Sequence, residues 1–152
     1  MFRTAVFSCA LTLLAMAASG CMTRYESCGP EGPSPAGLTS SDLVGSWRGD
    51  PRGHLELRAA GAATLTDWPA DATPFGDLAP DERPGLSNGT WSLTPGMEQG
   101  RLRLDLDFLD DPAAPEGGGT VLTYDVSGTR AHPVLYMYTS DPDRCEFHTL
   151  RR

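Results

Sequence analysis

The chain has 152 residues, 12 basic and 20 acidic, with a formal net charge of −8, and every basic residue is arginine. That balance opposes binding to nucleic acid or to anionic lipid surfaces, which rests on clustered positive charge. The length suits one domain once a leader is removed, and is too short for two.

Arg3 precedes an apolar run from Ala5 to Ala17, and the small residues Ala18-Ser19-Gly20 stand immediately before Cys21. A charged start, an apolar middle and a small-residue cleavage site make a secretory signal. The run falls short of the ~20 residues a membrane span needs. With a cysteine directly after the small residues, the stretch resembles the lipobox of bacterial lipoproteins, Ala18 standing where leucine is usual. The resemblance implies cleavage before Cys21, fatty acylation of its thiol and retention on the extracytoplasmic face of the cell membrane. The alternative is a secreted protein cut nearby, with Cys21 an unmodified thiol.

Residues 1–20 are then the signal peptide, 21–37 the lipidated cysteine with a tether rich in Gly, Pro and Ser, and 38–152 the folded domain. Cleavage leaves 11 arginines against 20 carboxylates, a formal charge of −9. Cys9 departs with the signal and Cys21 carries lipid, so Cys28 and Cys145 remain, one near each end of the mature chain. In a compartment that permits disulfides, they are expected to bond to each other. No Cys-x-x-Cys pair supports a zinc or redox site.

Beyond the tether, Leu38 to Asp42 carries capping-type residues suited to one helical turn. The pattern then has period two. Strands are expected over Leu43–Gly49, His54–Ala59, Ala62–Trp68, Gly89–Leu93, Arg101–Phe108, Thr120–Val126, Pro133–Thr139 and Arg144–Leu150. Arg101–Phe108 is the clearest, with Leu102, Leu104, Leu106 and Phe108 alternating against Arg101, Arg103, Asp105 and Asp107, so one face is buried and the other wet. Two longer connections interrupt the rhythm, Pro69–Ser87 and Asp110–Gly119. In the first, Phe75, Leu78 and Leu86 suit either a lid over one barrel end or a disordered loop. Eight short strands with regular turns and no long helix argue an all-β fold. The expectation is a small antiparallel barrel or barrel-like sandwich, and closure is favoured because it removes unpaired edges. The inward leucines, Trp47, Trp91, Tyr124 and Phe147 are its expected core.

Gly45-Ser46-Trp47, opening the first strand after a helical turn, resembles the Gly-x-Trp signature of lipocalins and calycins. That likeness implies a tryptophan plugging one end of an up-and-down barrel, with Trp47, Trp91 and Tyr124 as candidate ligand-binding residues. Gly89-Thr90-Trp91 repeats the tripeptide. Over most of residues 43–152 the pattern LVGSWRG, LELRAAG, GTWSL, RLRLDLDF and SDPDRCEFHTLRR is similar to small bacterial lipoproteins of actinobacterial type, which implies a location and no activity.

Catalytic patterns are missing. His54, His132 and His148 are scattered with no ligand spacing, and a surface or strand position explains each better than chemistry. Asp105 and Asp107 read as solvated charges on a wet face. Asp110, Asp111, Asp141, Asp143 and Glu146 match no calcium-loop spacing. Arg48-Gly49-Asp50 reads as chance, and the sequon Asn88-Gly89-Thr90 as idle in a bacterium. No Gly-x-Ser-x-Gly or phosphate-binding loop occurs. No catalytic residue, metal or cofactor is therefore expected. The leading expectation is a non-enzymatic, membrane-anchored domain with a binding or structural role at the envelope. Its partner is the membrane through the anchor and an envelope protein or a small apolar ligand, and the alternatives are a lipocalin-like carrier and, less favoured, an envelope enzyme.

Overall fold

The computed structural model describes residues 28–69, 87–108 and 120–152. The signal, Cys21 and the lid expected from Phe75, Leu78 and Leu86 lie outside them. A four-residue helix, α1 (Ser40–Leu43), precedes eight strands: β1 (Gly45–Asp50), β2 (His54–Leu57), β3 (Ala62–Thr66), β4 (Ser87–Pro95), β5 (Leu102–Phe108), β6 (Thr120–Gly128), β7 (Pro133–Tyr138) and β8 (Phe147–Arg151). Each pairs antiparallel with the next, and β1 pairs with β8 through Arg48↔Arg151, Gly49↔Leu150 and Asp50↔Thr149, closing the barrel. The expected barrel is the observed fold.

Alternation places the core. Leu104, Leu106 and Phe108 of β5 face inward beside Leu55 and Leu57 of β2, Leu122, Tyr124 and Val126 of β6, and Leu135 of β7, all 0–1 % exposed. The repeated Gly-x-Trp tripeptides use their glycines for different reasons. Gly45 has φ +135°, which side chains with a Cβ rarely adopt, and open space where a Cβ would stand. At Gly89 a Cβ would overlap the Asp107 carbonyl and the Phe108 ring, so that glycine permits close strand approach.

One end of the barrel is plugged by α1. Leu43 and Trp47 are both 0 % exposed, and the Trp47 indole N–H donates to the Leu43 carbonyl at 2.9 Å. Arg152, just past β8, lies over the Trp47 ring at 4.8 Å and donates to the carbonyls of Asp42 and Val44. The Asp42 carboxylate accepts from the Thr39 N–H at 2.8 Å and the Thr39 hydroxyl at 2.7 Å, and meets Arg130 at 3.1 Å. Those donors, the Thr39 side chain first, lower its pKa from an ordinary 3.8 to about 2. A depressed folded-state value contributes stability that is present above the unfolded value and lost as pH falls towards 2. A carboxyl titration by NMR should therefore give Asp42 a midpoint near 2, and Arg130→Ala should raise it. A midpoint at the ordinary 3.8 would show that these contacts do not persist in solution.

Residues 28–37 differ from the tether expected there. They run as a strap down the outside of the barrel from the Cys28–Cys145 disulfide, whose Cα atoms are 5.3 Å apart, to the buried Leu38 beside the plug. Midway, the Ser34 hydroxyl donates to the Val126 carbonyl and accepts from the Leu102 N–H, both at 2.7 Å. It bridges β5 and β6 just beyond their last paired residues, Arg103↔Asp125. A segment without apolar periodicity is held by a disulfide and by hydrogen bonds to strand backbone.

The last strand also departs from expectation. Pro142–Arg144 forms a 3-10 turn, Cys145 takes a left-handed conformation (φ 54°), and β8 begins only at Phe147. Phe147 consequently faces outward, packing on Tyr138 and Tyr136 at ring separations of 4.6 and 5.9 Å. His148, expected at a bland surface or strand position, takes the inward place and is 0 % exposed.

Candidate functional site

The three residues singled out for ligand binding all point into the barrel. Trp47 belongs to the plug. Trp91 is 8 % exposed and its indole N–H donates to the Arg58 carbonyl at 2.9 Å. Tyr124 is 0 % exposed, and its hydroxyl lies 2.8 Å from His148 Nδ1. All three join one continuous apolar cluster with the leucines. They fill the interior and their polar tips already have partners, so they are packed as core side chains.

A polar chain crosses this core near the end opposite the plug. His148 Nε2 lies 2.8 Å from the Arg52 carbonyl. A carbonyl only accepts, so Nε2 carries the proton, and in the neutral ring Nδ1 accepts from the Tyr124 hydroxyl. Trp68, two residues past β3, packs against the His148 ring at 4.7 Å and is 2 % exposed. Burial pushes the Tyr124 phenol well above its ordinary pKa, keeping it a hydroxyl. A general base must come within hydrogen-bond reach of a substrate proton, whereas this pair is enclosed and turned on itself. The signal that marked it in the sequence was only one histidine in an alternating strand.

Two concave surfaces stand among the described residues, one at the plugged end of the barrel and one on its outer face. One, of about 430 Å³, adjoins the plug and is lined by Val44, Ala59, Ala60, Gly61, Trp91 and Leu93 with the Ser40 and Ser41 side. The other, of about 460 Å³, lies between the strap, the β4–β5 turn and the outer faces of β5, β6 and β7. It brings together Glu31, Met97, Glu98, Arg101, Arg103, Thr123, Asp125, Tyr136, Tyr138 and Pro142.

The charges in this second groove are unevenly matched. Arg101 donates to Glu98 at 3.0 Å and to the Tyr136 hydroxyl at 2.8 Å. Arg103 turns towards Asp105 at 3.8 Å, although Asp125 is its direct neighbour across the β5–β6 pair. Glu31 accepts from the Cys28 N–H at 3.0 Å. Among the described residues, Asp125 alone of these carboxylates has neither a hydrogen bond nor an ion pair within 4.0 Å. Desolvation raises its pKa, outweighing the opposing pull of Arg101 and Arg103. Tyr136 is raised by burial too, with the Asp125 charge adding to it. None of these groove residues had been singled out by motif or spacing. They lie on different strands and share a site only through outward alternation and the strap.

The other sequence candidates do not converge. Asp141, Asp143 and Glu146 are exposed in the β7–β8 turn, where Asp141 accepts from the Asp143 N–H at 3.0 Å; Asp110 and Asp111 lie outside the described residues. No group of three or more His, Cys, Asp or Glu among the described residues is placed to hold a metal ion. Comparison with known proteins finds no match, whether among family models, curated proteins or solved structures, so the functional reading rests on this chain's own residues.

Proposed function

We propose that the protein is a non-enzymatic, lipid-anchored domain on the extracytoplasmic face of the cell membrane that binds a partner with the outside of its barrel. The observation that carries this reading is where the volume lies. The interior holds Trp47, Trp68, Tyr124, Phe108 and nine leucines, each at 2 % exposure or less, and the grooves lie at the plugged end and on the outer faces of β5, β6 and β7. A carrier of a small apolar ligand requires a concave, largely pre-formed pocket inside its walls, and these side chains occupy that space.

The disulfide supports the compartment, because such bonds persist in oxidising environments. It also bears on orientation. Cys145 sits in the β7–β8 turn at the end opposite the plug. A lipid on Cys21 is separated from Cys28 by six residues, a reach of at most ~25 Å at ~3.6 Å per residue. The anchor would therefore hold that end towards the bilayer and leave the plugged end, with its apolar groove, facing away.

Metabolic labelling of cells with an alkyne fatty acid tests the anchor. The wild-type chain should carry label and sediment with membranes, and Cys21→Ser should lose both. An unlabelled wild-type chain in the soluble fraction overturns the reading.

A further inference from the structure

We infer that the groove beneath the strap is a binding site for a small organic cation, an alkylammonium group seated on Asp125 beside the half-buried Tyr138 ring. This deepens the proposed binding role and rests on it. Asp125 is half-buried and lacks a partner of its own, while both arginines beside it are committed elsewhere, Arg101 to Glu98 and Tyr136 and Arg103 to Asp105. A carboxylate in that position is under-compensated, and a cation delivered to it gains a charge-assisted hydrogen bond. The Tyr138 ring, which lines the same groove, suits the apolar arm and the charge of such a ligand. The volume, about 460 Å³, fits a small molecule. The mature chain's formal charge of −9, from 11 arginines and 20 carboxylates, steers cations towards the protein.

The groups facing Asp125 are Arg101 and Arg103 on its β5 side, Tyr136 on β7, and Glu98 and Glu31 from the turn and the strap. Burial already raises its pKa, so protonation competes with the ligand. Affinity should fall on acidification as the carboxylate takes up its proton, and Asp125→Asn should flatten that dependence.

Titration of the full chain in neutral detergent with butylammonium chloride, followed by amide NMR, tests the site. Saturable shifts should localise to Thr123, Asp125 and Tyr138. Asp125→Asn should weaken binding roughly ten- to a hundred-fold, the scale of a hydrogen bond to a charged group. Arg103→Gln removes the cation directly across the β5–β6 pair and should tighten it. Asp141→Asn, an exposed charge outside the groove, should leave binding unchanged. Sodium butyrate, with the same arm and the opposite charge, should not saturate. The inference is overturned if Asp125→Asn binds like wild type, if Asp141→Asn weakens binding equally, or if butyrate occupies the same residues. The anchor stands or falls separately: labelled protein that ignores butylammonium loses this site alone, and unlabelled protein that binds it loses the membrane reading alone.

Discussion

Replacing Cys28 and Cys145 together by serine is expected to lower the melting temperature by roughly 15–20 °C. The bond links residues 117 apart in sequence, and in the chain-entropy model a loop of that length constrains the unfolded chain by about 4–5 kcal/mol. For a domain of this size, each kcal/mol moves the midpoint by about 4 °C. The loss is also local. Cys28 begins the strap, whose Glu31 lines the same groove as Tyr136, an outward-facing residue that is only 1 % exposed. Unbonded, residues 28–33 lose their covalent tie to the β7–β8 turn, so amide exchange of the strap should rise before that of the barrel strands. Calorimetry with hydrogen exchange measures both effects. A midpoint shift below about 3 °C would mean that the strap is held by its hydrogen bonds and packing and owes little to the disulfide.

Trp47→Ala is expected to cost about 3–5 kcal/mol, the range for emptying a buried aromatic position. Three things depend on the ring: it fills the end of the core, its N–H satisfies the Leu43 carbonyl, and its face supports Arg152. Trp47→Phe keeps most of the packing and gives up the hydrogen bond, so it should cost about 1–3 kcal/mol. Val44→Ala, at the residue joining α1 to β1 and 36 % exposed, should stay within about 0.5 kcal/mol. Urea unfolding of the three variants gives the order. If Trp47→Ala costs less than about 1 kcal/mol, α1 and Arg152 do not form a plug that depends on this residue.

How far the sequence could be read depends on what each segment uses for stability. Arg101–Phe108 alternates without ambiguity, and β5 is Leu102–Phe108 with Leu104, Leu106 and Phe108 inside. At the other extreme, Phe147-His148-Thr149-Leu150 alternates equally well in two phases. Taking phenylalanine as the anchor puts Phe147 inside. The barrel takes the phase that seats Leu150 against β1 and β7, and so His148 goes in and Phe147 out. A one-residue choice exchanges every side chain between the faces. The groove was unreadable for a related reason. Asp125 and Tyr136 become neighbours through the register of β6 with β7, and Glu31 joins them only because a disulfide brings the strap across.

By itself, the sequence determined the class of fold, the number of strands, most of the core and the cysteine pair, because period-two alternation and cysteine count are local signals that survive without a partner segment. Closure of β1 on β8, the inward turn of His148, the path of residues 28–37 and the isolation of Asp125 were decided only by tertiary structure. Each depends on which strand lies beside which, and in what register.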